Sequence, residues 1–322
     1  MSLGQSAVIA TLVDWLRQGQ QVWLATVTST YGSSPRPAGS LLAWCAEHGH
    51  VGSLSGGCVE EDLLQRLPQL PRSQAPIRQL YGASEAEQQR YRLPCGGQLH
   101  ILLEAIDPTQ LAHFQALLSA LQQRRACTRR VSNDGRSELL EGTAAEMELT
   151  ALHWQQPFAP DYRLLIAGAT DVAQQLAALA APAGFEVTIC DFREPFLHSF
   201  TSAHANVVKA MPDELVAEQF HDSHCAVVTL AHDPRVDDLA LLEALNSQAF
   251  YVGAMGSLAT SEARRQRLLQ LGITEQQLQR LHAPIGLPIH SKTPYHIAIS
   301  VLAHVLQQRP LAPSVTQNHQ SD

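Results

Sequence analysis

Two cysteines set among glycines are the residues best placed to do chemistry. Cys58 lies in Gly52-Ser53-Leu54-Ser55-Gly56-Gly57-Cys58-Val59-Glu60-Glu61-Asp62, and Cys95 in Leu93-Pro94-Cys95-Gly96-Gly97. In the first stretch a serine and glycine turn runs into a helix expected to begin near Val59, which puts Cys58 at the helix start. Glycines let the backbone approach a ligand closely. The N–H groups of a helix first turn lack intrahelical acceptors and suit an anion, and a thiol at that position is expected to have a lowered pKa. The chemistry implied is contact with an anionic, thiol-seeking ligand. The same residues also suit a tight turn with a small buried cysteine and an acidic helical turn that the macrodipole favours.

Three further groups could meet an anion or a nucleotide. Arg36, between Pro35 and Pro37, is pre-set in an extended conformation and is either an anion contact or an exposed arginine on a stiff loop. Lys292 precedes the helix opened by Pro294, where an anion contact and an ordinary surface lysine are both open readings. His232-Asp233 follows a buried strand, as a ligand-facing pair or as the N-cap ahead of Pro234.

The elements that position these groups change character along the chain. Residues 6–17 carry apolar side chains at helical spacing, and Gln21 to Thr28 switches to a β-branched run. A Gly, Pro and Ser loop at 29–40, a hairpin turning at His48-Gly49-His50 and the Cys58 helix follow. Next come a strand near Ile77 to Tyr81, the Cys95 loop, a strand at 98–106, a helix after Asp107 and strand-like pieces to Trp154. The expected organisation is a mixed α/β domain over residues 1–154, a linker at 155–161 containing Gln155 to Pro160, and a second domain over 162–322.

That second half alternates strand and helix, implying a Rossmann-like, doubly wound parallel sheet. A strand at Tyr162 to Ala167 meets a turn at Gly168, and Asp191 ends the next strand roughly 20 residues on, where a dinucleotide's ribose would be met. The turn reads Gly168-Ala169-Thr170-Asp171-Val172-Ala173. Ala173 allows close helix packing, but Thr170 places a branched side chain where a pyrophosphate would lie.

Composition narrows the function classes. A length of 322 residues exceeds the usual reach of one hydrophobic core, so two domains are expected. A net charge of -8 offers no basic face for nucleic acid. No apolar run long enough to span a membrane and no signal-peptide pattern occur, so the expected location is cytoplasmic. The six cysteines have no CxxC spacing and are expected as free thiols; the 15 histidines form no HExxH pattern, and their one HxH, His48-Gly49-His50, falls in the hairpin turn.

Taken in order, GSLSGGCVEED, LPCGG, the Rossmann-like half, YVGAMGS and HAPIGLPIHSKTP resemble the xanthine dehydrogenase accessory family, XdhC/CoxI. The resemblance implies a cytoplasmic chaperone, not an enzyme. Such a protein binds the molybdenum cofactor, assists its sulfuration with a cysteine desulfurase and inserts it into an apo molybdenum hydroxylase. It further implies Cys58 as the contact for molybdenum or its sulfur, with Cys95 as a second thiol. Gly56, Gly57, Arg36, Gly168, Asp191 and Lys292 then join the cofactor-binding set, and Glu60 orients the helix start or a pterin amide. A homodimer is expected on the same ground.

Two motifs depart from the family pattern. The turn at 168–173 lacks the glycine and histidine of a GAGHVG-like sequence, and Pro288-Ile289-His290-Ser291-Lys292-Thr293-Pro294 replaces one resembling PIGAKTP. These changes suggest a dedicated client, an aldehyde oxidoreductase rather than xanthine dehydrogenase, and a nucleotide form of the cofactor, with molybdopterin and its cytosine dinucleotide form both open. The alternative is an NAD(P)-dependent oxidoreductase using the second half, with His232 as acid or base and Asp191 on the ribose. A scaffold that kept the fold and lost its ligand is a third.

Overall fold

The structure, a computed structural model, describes residues 4–31, 36–93, 97–142, 147–198, 200–290 and 292–310. They form two compact units, one up to Pro160 and one over Asp161–Pro310. The expectations for Cys95 and for residues 32–35 ahead of Arg36 fall outside the described residues.

The first unit contains α1 (Gln5–Arg17), β1 (Val22–Tyr31), β2 (Leu41–Cys45), β3 (Gly49–Gly52), α2 (Cys58–Arg66) and β4 (Ile77–Tyr81). It continues with α3 (Glu85–Arg90), β5 (Gln98–Ile106), α4 (Leu111–Gln122), β6 (Cys127–Ser132), β7 (Ser137–Glu141), β8 (Glu148–Leu149) and β9 (His153–Phe158). Its main sheet has the order β3-β2-β1-β5-β4, with every pair antiparallel.

Strand β1 is buried on both faces, and its alternation divides the core in two. Val22 and Leu24 join the side chains of α1 and α4, among them Ile9, Leu12, Phe114 and Leu117. Trp23, Ala25 and Val27 point the other way, onto Val59 and Leu63 of α2. The helix bearing Cys58 is thus docked by its own apolar stripe.

A second antiparallel sheet, β7-β6-β9-β8, corrects the linker reading. Gln155 to Phe158 belong to β9, paired with β6 from Cys127 opposite Phe158 to Ser132 opposite His153. Pro157 and the glutamines suggest a spacer, but tertiary pairing overrides composition here. Gln156 is buried and donates Nε2 to the Gly39 carbonyl at 3.0 Å.

The two sheets share a buried ion pair. Arg129 of β6 forms a two-pronged contact with Glu104 of β5, at 2.9 and 2.7 Å, with both side chains almost fully buried. Its Nε reaches His113 at 3.1 Å, and the guanidinium lies over the Phe114 ring of α4. Burial and the Arg129 charge push His113 down to about 4, keeping it neutral.

The second unit contains β10 (Tyr162–Ala167), α5 (Asp171–Ala180), β11 (Phe185–Asp191), α6 (Glu194–Leu197), β12 (Asn206–Lys209), α7 (Pro212–Gln219) and β13 (Cys225–Thr229). It ends with α8 (Pro234–Asn246), β14 (Tyr251–Ala254), α9 (Leu258–Gln270), α10 (Glu275–Leu278), β15 (Leu281–His282) and α11 (Pro294–Gln308). The sheet is parallel throughout, in the order β12-β11-β10-β13-β14-β15, which is the doubly wound dinucleotide-fold order. Leu164 and Ile166 face Leu176 of α5 and Val301 of α11, while Leu165 and Ala167 face Val216, Leu241 and Leu268 of α7 to α9. Near-continuous apolar strands are what a sheet covered on both faces requires.

Replacing Glu104 with Ala leaves Arg129 buried without its partner. The expected loss is about 3–5 kcal/mol in the unfolding of the first unit, measured by urea denaturation. A loss below about 1 kcal/mol would mean that the pair is no anchor.

Candidate functional site

Antiparallel pairing places three loops at one end of the main sheet. Strands β1, β3 and β4 end there and β2 and β5 begin there, as shown by Tyr31 opposite Gln98, Tyr81 opposite Leu99, and Leu42 opposite Gly52. The Arg36 loop, the Cys58 turn and the connection containing Cys95 therefore emerge on the same side. Arg36 itself is half-buried. The flanks of the Cys95 segment are close to the end of β4, since a Cβ on Gly82 would lie 2.3 Å from the Gly97 carbonyl oxygen.

The Cys58 turn is built from inside outward. Leu54 is fully buried in the α2 core, and Ser53 N–H donates to the Leu41 carbonyl. Gly52 takes a positive φ of 89°, and a Cβ there would come within 2.2 Å of the Leu41 oxygen, so only glycine fits. At Gly57 the opposite holds, because a Cβ would meet nothing within 4 Å among the described residues. Cys58 is the first residue of α2 and is partly exposed, whereas Cys45, Cys127, Cys190 and Cys225 are buried.

Glu60 changes how the turn's amides are used. Its Oε1 accepts from Ser53 Oγ at 2.6 Å, Leu54 N at 2.6 Å, Ser55 N at 2.8 Å and Gly56 N at 2.8 Å. Burial pushes this carboxyl up, but the hydroxyl and the three amides outweigh it and hold Glu60 below its ordinary value. The nest that an outside anion would use is thus filled by the chain's own carboxylate. Among the described residues nothing accepts from the amides of Gly57, Cys58 and Val59.

Asp62, read from sequence only as part of an acidic helical turn, proves to be a hub. It accepts from Tyr81 Oη at 3.1 Å and from Tyr91 Oη, Arg66 and Arg90, each at 3.3 Å. These contacts tie α2 to β4 and to the connection that follows α3. The one legible signal was Arg66, four residues on along the helix.

Gly168, Asp191 and Asp233, singled out in the second unit, are committed to its own structure. A Cβ on Gly168 would lie 2.6 Å from the backbone of Ala231, so the turn after β10 packs on the residues after β13 at the reversal in strand order. Thr170 is the N-cap of α5 and its Oγ1 accepts from Ala173 N. Asp191 is 0% exposed, and its two oxygens accept from Ala169 N, Arg193 N and the Arg193 guanidinium. Burial pushes Asp191 up, and the hydrogen bonds led by Arg193 more than reverse this, so it stays below the ordinary carboxylate range.

Arg193 also reaches Asp233, which caps α8 and pairs with Arg235. His232 precedes it with a positive φ of 55°. Lys292 is exposed immediately before Thr293, the N-cap of α11. Among the described residues no three His, Cys, Asp or Glu side chains gather into a metal site.

One cluster went unread in the sequence. His282 stacks on the buried Tyr251 with centroids 4.7 Å apart, and His304 packs edge-on against both. Tyr251 Oη and His304 Nδ1 lie 3.0 Å apart. Burial and the neighbouring His304 push His282 down to about 4, and burial lowers His304 as well. The histidines sit on β15 and α11, far apart in sequence, so no local pattern joins them.

A Rossmann-type unit preceded by an α/β unit with a partly exposed, glycine-flanked cysteine defines the class of protein. Residues 164–305 match a family model described as the XdhC Rossmann domain, and residues 15–82 match one described as the XdhC and CoxI family. The chain belongs to that family.

It is 26% identical to a probable xanthine dehydrogenase subunit of Bacillus subtilis (strain 168), over 93% of this chain and 97% of that protein. To the molybdenum cofactor insertion chaperone PaoD of Escherichia coli (strain K12) it is 27% identical, over 94% of this chain and 88% of that one. A crystal structure described as a xanthine dehydrogenase from Bacillus halodurans shares the fold, with a TM-score of 0.72 at 24% identity over 96% of each chain.

The histidine cluster predicts an acid-sensitive second unit. Both histidines are held below their ordinary value of about 6.5, so their stabilising contribution is present above that pH and is lost as pH falls below it, for His282 through about 4. In His282→Phe the ring still stacks on Tyr251 but does not titrate. The slope of Tm against pH across this window should become shallower, and an unchanged slope would assign the acid loss elsewhere.

Proposed function

We propose that this chain is a molybdenum cofactor chaperone that binds and protects the cofactor, assists its sulfuration and inserts it into an apo molybdenum hydroxylase. The observation that carries the reading is the Cys58 turn, a partly exposed thiol beside an open Gly57 and amides without acceptors among the described residues. Such donors fit the cofactor. Its soft metal end suits a thiolate, and its phosphate suits backbone N–H groups and cations. When bound, the cofactor supplies the redox-active molybdenum that the client enzyme uses.

Within this reading Cys58 holds the molybdenum or its sulfur, and Gly56 and Gly57 let the ligand lie against the backbone. Arg36, on a loop at the same end of the sheet, supplies positive charge, and Cys95 is the second thiol. Lys292, exposed ahead of α11, is the anion contact of the second unit. Gly168 and Asp191 serve that unit by holding its sheet edge together, as their packing and hydrogen bonds support.

The partners in this proposal are a xanthine dehydrogenase or aldehyde oxidoreductase type client and a cysteine desulfurase, with the chaperone acting as a cytoplasmic homodimer. Relatives named for cofactor insertion and for xanthine dehydrogenase support it. No helix among the described residues is long and apolar enough to cross a membrane.

The dinucleotide-dependent oxidoreductase has weaker support. Thr170 caps the helix that would face a pyrophosphate, Gly168 packs on Ala231, and the oxygens of Asp191 are occupied.

Anaerobic purification from a host that makes the cofactor tests the proposal, with pterin, molybdenum and nucleotide assayed in wild type and Cys58→Ala. The expected result is pterin in the wild type and at least a tenfold loss of molybdenum, pterin or both in the variant. Absence of pterin from both, with a nicotinamide dinucleotide bound instead, would overturn the reading.

A further inference from the structure

Four donors from four consecutive residues converge on one oxygen of Glu60, at 2.6 to 2.8 Å. The acceptor sits in the first turn of α2, two residues beyond Cys58. The main chain of Glu60 closes the same turn from the other side, its N–H donating to the Gly57 carbonyl at 3.0 Å. One residue therefore clamps both ends of a turn that contains two consecutive glycines, the segment least able to hold its own shape. An ionised acceptor makes such bonds roughly twice as strong as neutral ones.

We propose that Glu60 is the positioning residue of the Cys58 site. Resting on the chaperone reading above, it acts through the turn and does not touch the cofactor. The Oε1 atom is fully engaged with Ser53 to Gly56, so Glu60 serves as an internal anion that sets the turn. The amides of Gly57, Cys58 and Val59 remain without acceptors among the described residues. This division assigns the first half of the loop to architecture and the second half to the ligand. Ser53, through its hydroxyl, belongs with the architectural half.

The role separates from simple stability and from direct ligand contact in one set of full-length variants. Hydrogen exchange of the Leu54, Ser55 and Gly56 amides is measured together with pterin and molybdenum content in wild type, Glu60→Gln, Glu60→Ala and Ser53→Ala. In Glu60→Ala those amides should exchange at least tenfold faster and pterin content should fall at least fivefold, while exchange in β10 and β13 stays as in the wild type. Glu60→Gln retains an oxygen for the amides and should hold at least half of both protection and pterin. Ser53→Ala removes one donor of four and should fall between these variants.

Wild-type exchange in Glu60→Ala would overturn the proposal. So would fast exchange with undiminished pterin, or retained protection with lost pterin in Glu60→Gln, which would make the carboxylate a ligand contact. A wild type that carries no pterin would fail the chaperone reading instead, and exchange alone would then decide whether Glu60 sets the turn.

Discussion

Antiparallel pairing leaves no freedom about where loops emerge, and the first unit depends on that constraint. With the order β3-β2-β1-β5-β4, three connections leave from a single end of the sheet, although they lie as far apart as residues 32–40 and 82–97 in the chain. No one of these connections, read alone, would place the others. The sheet does so because the central pair, β1 with β5, holds register from Val22 opposite Ile106 to Tyr31 opposite Gln98, with one irregularity after Val27. Apolar side chains on both faces of β1 fix that register, since slipping by one residue would send each set to the wrong core.

The two units treat their glycine turns in opposite ways. In the second unit the turn after β10 is packed shut on Ala231 and capped by Thr170, and Asp191 is enclosed by Arg193. The charges along that edge, Arg193, Asp233 and Arg235, satisfy one another. In the first unit the glycine turn ends at Gly57, where a Cβ would meet none of the described residues, and its internal bonding is completed by Glu60. The fold type alone would put the ligand in the second unit, yet the glycine turn there is packed on Ala231, and the partly exposed thiol stands in the first.

Much of this was legible in the sequence. Helix periodicity, the β-branched runs and the strand and helix alternation beyond Tyr162 gave most of the elements, and the comparisons bear out the family resemblance. What escaped depended on contacts distant in sequence. Pro157 disguised β9 because pairing with β6 is visible only in three dimensions. Asp191 looked like a ribose ligand since position is readable and saturation by Arg193 is not. The Glu60 bonds span only four to seven residues, but the sequence leaves open whether a carboxylate in a helical first turn points outward or folds back.

Gly57 carries a consequence of its own. A Cβ there would meet none of the described residues, and the φ of -168° is one that any residue adopts. Its mutational record should therefore split by selection pressure. A library sorted for solubility would accept many residues at this position, whereas one sorted for maturation of a client would keep only the smallest. Engineering guided by thermal tolerance alone would be blind to the very residue that borders the thiol.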